Sequence, residues 1–154
     1  MLLFLDFDGV LHGYGEPAFL HNPKLENLLL EFPEVEVVFS TSWRLLFSLD
    51  QLRLRFSEPL RHRFIGVLPD LSRPDPDEPH YSRDLRYYEI QAFFARKPEL
   101  SGRPWRALED EERHFPKDCP NVVWCEPSQG LGTPGVVKKL YEWLNHETAS
   151  IEQS

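Results

Sequence analysis

Two cysteines in 154 residues exclude a disulfide framework, and Cys119 and Cys125 lack the spacing of a zinc motif, so a reducing compartment is expected. Long apolar runs are missing too. The opening stretch 2–5 is fully apolar but far too short to span a membrane, and its position leaves no signal peptide expected ahead of it. Positive charge is scarce: 17 Lys and Arg against 25 Asp and Glu give a formal net charge of −8. No field over the whole molecule would therefore attract nucleic acid. Such a ligand would need a local basic patch. Arg53, Arg55, Arg61 and Arg63 either form one or are the wet face of a helix and its exit. No internal repeat is seen. What is plentiful is core-forming material, 41% hydrophobic and 13% aromatic, which excludes general disorder. One cytosolic domain over 1–154 is expected, without a membrane segment.

The pattern alternates strand and helix. An apolar strand at 2–5 is followed by Asn22 and Pro23, a helix cap and first-turn proline, then Leu25, Leu28, Leu29 and Phe32 at helical spacing. Pro33 stops that helix. Strands are predicted at 35–39, 64–68, 105–108 and 121–125. A helix over 43–56 should bury Leu45, Leu46, Leu49 and Leu52. Ser82 is expected to cap a helix carrying Leu85, Tyr88, Ala92 and Phe93, after a proline-rich acidic loop over 69–79. Thr133 and Pro134 open a last helix with Val137, Leu140, Tyr141 and Leu144 on one face. Five strands with intervening helices point to an α/β fold, a parallel sheet wound on both faces.

Asp6 and Asp8 stand two residues apart at the end of the first strand, so both carboxylates leave on one face. Paired carboxylates repel and resist dehydration unless a cation or a shared proton compensates. The pattern points to a hard-metal site with a carboxylate nucleophile; a solvated Asp-x-Asp-Gly turn is the bland alternative. Ser40, Thr41 and Ser42, and then Glu109 and Asp110, also fall at strand ends, where parallel sheets bind ligands.

Asp6-Phe7-Asp8-Gly9-Val10, Thr41 after Val37-Val38-Phe39-Ser40, Arg86 early in the helix before the fourth strand, and Glu109-Asp110 together resemble the four motifs of the haloacid dehalogenase (HAD) superfamily of phosphotransferases. Three local features resemble the small HAD domains associated with RNA-repair proteins: the start at Leu5-Asp6-Phe7-Asp8-Gly9-Val10-Leu11, Thr41-Ser42-Trp43-Arg44, and the turn Gly130-Leu131-Gly132-Thr133. The resemblance implies a Rossmann-like five-stranded sheet, with Asp6 as nucleophile and Asp8 as general acid/base. It implies that Thr41 binds the transferred phosphoryl group, with Ser40 and Ser42 as alternatives. Arg86 takes the place of the usual Lys, with Arg83 as the alternative. Mg²⁺ is expected on Asp6, on Asp8 through its backbone carbonyl, on Asp110, and on Glu109 directly or through water. Gly9, Ser42, Trp43 and Arg44 are expected around the substrate, and Glu111 and Glu112 on the surface. His12 either touches substrate or is an ordinary loop histidine.

Neither the stretch from Asp8 to Thr41 nor that from Thr41 to Arg86 has room for a lid domain, so no cap domain is expected. In this superfamily an open site goes with macromolecular substrates. The leading expectation is a Mg²⁺-dependent phosphomonoester hydrolase working through an aspartyl-phosphate. Its substrate would be a nucleic-acid end delivered by a partner protein, with Tyr14 and Tyr81 stacking on a base. A small-metabolite or nucleotide phosphatase and a non-catalytic interaction module are the alternatives.

Overall fold

The computed structural model describes residues 1–72, 77 and 83–153. Five strands, β1 (Leu2–Leu5), β2 (Glu36–Phe39), β3 (Phe64–Val67), β4 (Trp105–Glu109) and β5 (Val122–Trp124), form one sheet in the order β3-β2-β1-β4-β5. Every pairing is parallel. The sequence of β1 explains its central place. All four residues are fully buried, and their alternation feeds two cores. Leu3 and Leu5 pack with α1 (Asn22–Glu31) and α4 (Val136–Glu152), whereas Leu2 and Phe4 pack with Ile90 and Phe93 of α3 (Leu85–Arg96). The chain winds outward from β1 to β3 and then crosses to β4 and β5. That reversal puts a crevice beyond the carboxyl ends of β1 and β4.

Some boundaries differ from the sequence expectation. The helix predicted over 43–56 is a 3-10 turn (Ser42–Leu45) followed by the short α2 (Leu49–Arg53). Two caps compete with a continuous helix: Thr41 accepts the N–H of Trp43, and Ser48 forms a reciprocal capping box with Gln51. Leu45 and Leu46, expected inside, are 44% and 81% exposed, whereas Leu52 is buried. Helix α1 begins at Asn22 itself, whose amide donates to the Arg55 carbonyl (2.9 Å) instead of capping. The predicted cap Ser82 lies outside the described residues, as do Tyr81 and most of 73–80. Asp84, in the left-handed region, precedes α3 and donates its N–H to the Arg113 carbonyl (2.8 Å). Among the described residues, no helix is long and apolar enough to cross a membrane.

Three of the four clustered arginines hold backbone in place. Arg63 is buried and donates to the carbonyls of Leu29 (2.9 Å), Phe32 (2.6 Å) and Val35 (2.7 Å), satisfying the end of α1 that Pro33 interrupts. Arg61 donates to the Phe56 carbonyl, and Arg53 to the Phe64 carbonyl and Asp50. Substituting Arg63→Met should orphan three buried acceptors and cost about 3 kcal/mol in denaturant unfolding. Arg63→Lys should recover less than half, because one ammonium cannot match the planar fork. An Arg63→Met protein as stable as wild type would refute this role.

Candidate active site

Strand register assembles the carboxylates. Leu5 of β1 pairs with Leu108 of β4, so the next residues, Asp6 and Glu109, emerge side by side. Asp6, Glu109 and Asp110 each offer an oxygen within 4.8 Å of the others. Asp6 Oδ1 accepts the N–H of Phe7 (2.8 Å), and Glu109 Oε1 accepts those of Asp110 and Glu111 (3.1 Å each). Gly9 completes the turn at φ +78°, and a Cβ there would overlap the Asp110 carboxylate. Its N–H is taken by the His12 carbonyl (2.8 Å).

Burial dominates the electrostatics. Asp6 is pushed well above the usual carboxylate range by burial and by the charge of Glu109, against the pull of Arg86. Burial raises Glu109 to about 7 despite its backbone hydrogen bonds and Arg86. Asp110 is raised as well, chiefly by burial. Three crowded oxygen donors that resist ionisation are a donor set suited to a hard divalent cation, so these residues fit Mg²⁺.

The nearest positive charge is Arg86, itself buried. Its Nη1 donates to Glu89 Oε1 (2.8 Å), while its Nε is buried without a hydrogen-bond partner. Glu89 is fully buried and also receives Arg44 Nη2 (2.7 Å) and the N–H of Leu71 (3.0 Å). The remaining donors of Arg44 engage the carbonyls of Ser40, Thr41, Leu68 and Pro69.

Asp8 stands apart from the three crowded carboxylates. The His12 ring lies 2.9 Å from Asp8 Oδ1, and Trp43 Nε1–H donates to Oδ2 (3.0 Å). Because His12 Nδ1 accepts the N–H of Phe19 (3.1 Å), the neutral ring carries its proton on Nε2 and donates it to Asp8. Edge contacts among Phe7, Phe19, Trp43 and His12, with ring centroids 5.4–5.5 Å apart, fix both donors.

The cleft over these groups has a volume of about 160 Å³ and is lined by Asp6, Asp8, Tyr14, Ser42, Arg86 and Glu109 together with the segment 110–114, apart from Glu112. The structure thus brings Asp6, Asp8, Ser42, Arg86, Glu109 and Asp110 together. Thr41 is fully buried and caps the 3-10 turn, while the exposed Ser42 reaches the cleft. Trp43 meets the site through Asp8, Gly9 through its turn, and Arg44 faces inward with its side chain 2% exposed. Arg83 lines a separate depression with Phe115 and Lys117. Glu111, expected on the surface, joins the cleft rim. Sequence reasoning missed His114, whose Nδ1 lies 3.5 Å from Glu109 Oε2 and whose basicity is lowered by burial and by Arg86. A histidine in a charged loop carried no signal of that placement. Glu89 was visible only as a neighbour for Arg86 on a helix surface, not as a buried hub.

A five-stranded parallel sheet with an Asp-x-Asp turn after its central strand and acids after the adjacent one defines a HAD-like α/β domain without a separate cap. More narrowly, the chain belongs to the family described as the HAD domain in Swiss Army Knife RNA repair proteins, whose model matches residues 2–136. Searches of the curated proteins and of the solved structures found no match. Family membership supports a phosphatase-like function of the HAD type.

The acid cluster sets a pH dependence. Asp6 and Glu109 keep protons in the folded protein at pH values where the unfolded chain has lost them. The folded form therefore binds more protons, and stability falls as pH rises, for Glu109 between about 4.5 and about 7. Arg86 opposes this loss, and so does the lowered His114, since the unfolded chain binds the imidazole proton more readily and that contribution rises with pH. The raised Asp110 adds to the loss. In chelator, the melting temperature should drop by several degrees between about pH 5 and about pH 7.5, and Mg²⁺ should restore most of it at the higher pH. A melting temperature indifferent to both pH and Mg²⁺ would rule out this description of the cluster.

Proposed function

We propose that this domain is a Mg²⁺-dependent phosphomonoester hydrolase that works through an aspartyl-phosphate on Asp6 and acts on the phosphorylated end of a nucleic acid. The observation that carries the reading is the separation of two kinds of carboxylate. Asp6 is crowded against Glu109 and Asp110, whereas Asp8 is turned aside and held by two N–H donors.

Asp6, Glu109 and Asp110 would hold the ion, with the Asp8 carbonyl, and the bound ion would offset the repulsion between carboxylate and phosphate. The chain's own residues do the rest. A carboxylate oxygen of Asp6 attacks phosphorus and the bond to the leaving oxygen breaks. Asp8 gives its proton to that oxygen, then takes one from the water that attacks the aspartyl-phosphate, releasing inorganic phosphate and restoring Asp6. Arg86 supplies positive charge to the phosphoryl oxygens, with its unpartnered Nε as the available donor. Ser42 is the strand-end hydroxyl that lines the cleft, and Thr41 sets its position by capping the turn. His12 and Trp43 act as positioning residues for Asp8. The cleft is smaller than a pocket that encloses a whole small molecule, so it takes the phosphoryl group and leaves the rest of the substrate outside. That openness, together with a family described from RNA repair proteins, favours a nucleic-acid end over a metabolite.

Hydrolysis of phenyl phosphate and of phosphorylated oligonucleotides tests the reading. Wild type should turn over only with Mg²⁺, and Asp6→Asn should lose roughly 10³-fold or more. Full activity in Asp6→Asn, or no turnover of either substrate by wild type, would overturn it, the latter in favour of an interaction module. Trp43→Phe removes one donor to Asp8 while keeping most of the packing, and His12→Ala removes the other. Each should lower kcat by about 10- to 100-fold with little change in KM, and His12→Gln, which can still donate, should recover part of the loss. Variants that lose melting temperature but keep kcat would reduce this clamp to packing.

A further inference from the structure

Arg55 is unlike the three arginines around it. Its guanidinium carbon lies 5.6 Å from the ring centroids of both Phe19 and Trp43. Among the described residues, no carboxylate or carbonyl takes its N–H groups. Cation–π contact therefore holds the group in place without using its donors, which leaves a preset cation on the surface of an acidic protein. It borders a depression of about 440 Å³ lined by Ser42, Trp43, Leu46, Phe47 and Arg55. Among the described residues no acidic residue lines this depression, and Leu46, turned outward where the predicted helix is interrupted, stands 81% exposed at its rim.

The depression shares a lining residue with the catalytic cleft. Ser42 lines both, and the indole that forms one wall donates to Asp8. If Asp8 protonates the leaving oxygen, as the reading above requires, the departing part of the substrate lies on the Trp43 side. We propose that this depression binds the leaving group, and that the leaving group is a nucleoside bearing a second phosphate. The base lies against Leu46, Phe47 and Trp43, and the phosphate takes the free N–H groups of Arg55. The apolar and aromatic wall suits a base with a π-face, and a guanidinium fixed on rings suits both stacking and bidentate phosphate binding. The volume falls within the roughly 300–1,000 Å³ of ordinary ligand pockets, as the catalytic cleft alone does not. This inference rests on the assignment of Asp8.

Equilibrium binding to the Asp6→Asn protein tests it without consuming the ligand. The probes are a nucleoside 3′,5′-bisphosphate, dinucleotides phosphorylated at either end, the matching nucleoside monophosphates and a phosphotyrosyl peptide. Ligands with a second phosphate should bind about ten-fold or more tightly than the monophosphates. Adding Arg55→Met should erase that advantage, and Leu46→Asp should weaken it. A preference shared by bisphosphate and dinucleotide assigns the second phosphate generally, whereas a preference for the dinucleotide alone assigns it to the internucleotide link; either supports the proposal. Equal affinities, insensitivity to Arg55→Met, or the same Arg55-dependent preference for the peptide would overturn it. Phenyl phosphate turnover by the wild type separates the two failures. Turnover with Arg55-independent binding leaves the hydrolase standing and removes the leaving-group site. Arg55-dependent binding without turnover removes the hydrolase and the leaving-group role with it, leaving only a phosphate-binding depression.

Discussion

Crowding of negative charge at one point of the sheet is the constraint that the surrounding structure answers. Register makes it unavoidable: with Leu5 paired to Leu108, the next residues of two neighbouring buried strands are both acids, and Asp110 follows. The compensation runs as a chain of alternating charge. Arg86 faces the acids, Glu89 holds Arg86, and Arg44 holds Glu89 while binding carbonyls that follow β2 and β3. Four carboxylates (Asp6, Glu109, Asp110 and Glu89) then share two guanidinium groups, a deficit of two positive charges. A divalent cation matches that deficit. Without one, protons make up part of it: burial, and for Asp6 the charge of Glu109 as well, holds Asp6 and Glu109 above the usual carboxylate range.

The elements most legible in the sequence were those in which local and global signals agree. Leu2 to Leu5 read as a buried parallel strand because every position is apolar, and the acids at strand ends read as a site because ligands of doubly wound sheets bind there. Periodicity failed where caps intervened: the leucines over 45–52 kept helical spacing, but Ser48 restarted the helix and turned Leu45 and Leu46 outward. The arginine cluster failed differently. Charge counts cannot tell a solvated cation from one buried beneath carbonyls, and Arg63 proved to be a backbone cap.

Around the site, position at the ends of strands pointed to Asp6, Asp8, Glu109 and Asp110, and the family resemblance pointed to Arg86. Contacts between distant segments were not readable in the same way. The indole of Trp43 reaches Asp8 across thirty-five positions, and Arg44 reaches Glu89 across forty-five. Both partners of Arg44 and Trp43 sit on other elements, so no local pattern marks them. His12 shows the limit best. Four residues after Asp8 it looked like any loop histidine, and only the N–H of Phe19 on its far nitrogen fixes the tautomer that makes it a donor to Asp8.

One side chain joins the two halves of the site. Trp43 donates to Asp8, the general acid of the proposed reaction, and its ring forms a wall of the depression bordered by Arg55, whose N–H groups meet no carboxylate or carbonyl among the described residues. A substrate seated there as proposed would press on the indole that donates to Asp8. Binding energy from a part of the substrate that does not react can thereby be used to orient the general acid, raising kcat as well as affinity. On the proposed reading a small aryl phosphate would place its phosphoryl group in the cleft of about 160 Å³ and bring one ring to the Trp43 side without reaching Arg55, so it would gain the nucleophile with little of the positioning. On the proposed reading, an open HAD domain with so little enclosed volume would get its discrimination from this arrangement: the phosphoryl pocket would be indifferent to what the phosphate is attached to, and the neighbouring aromatic wall would not.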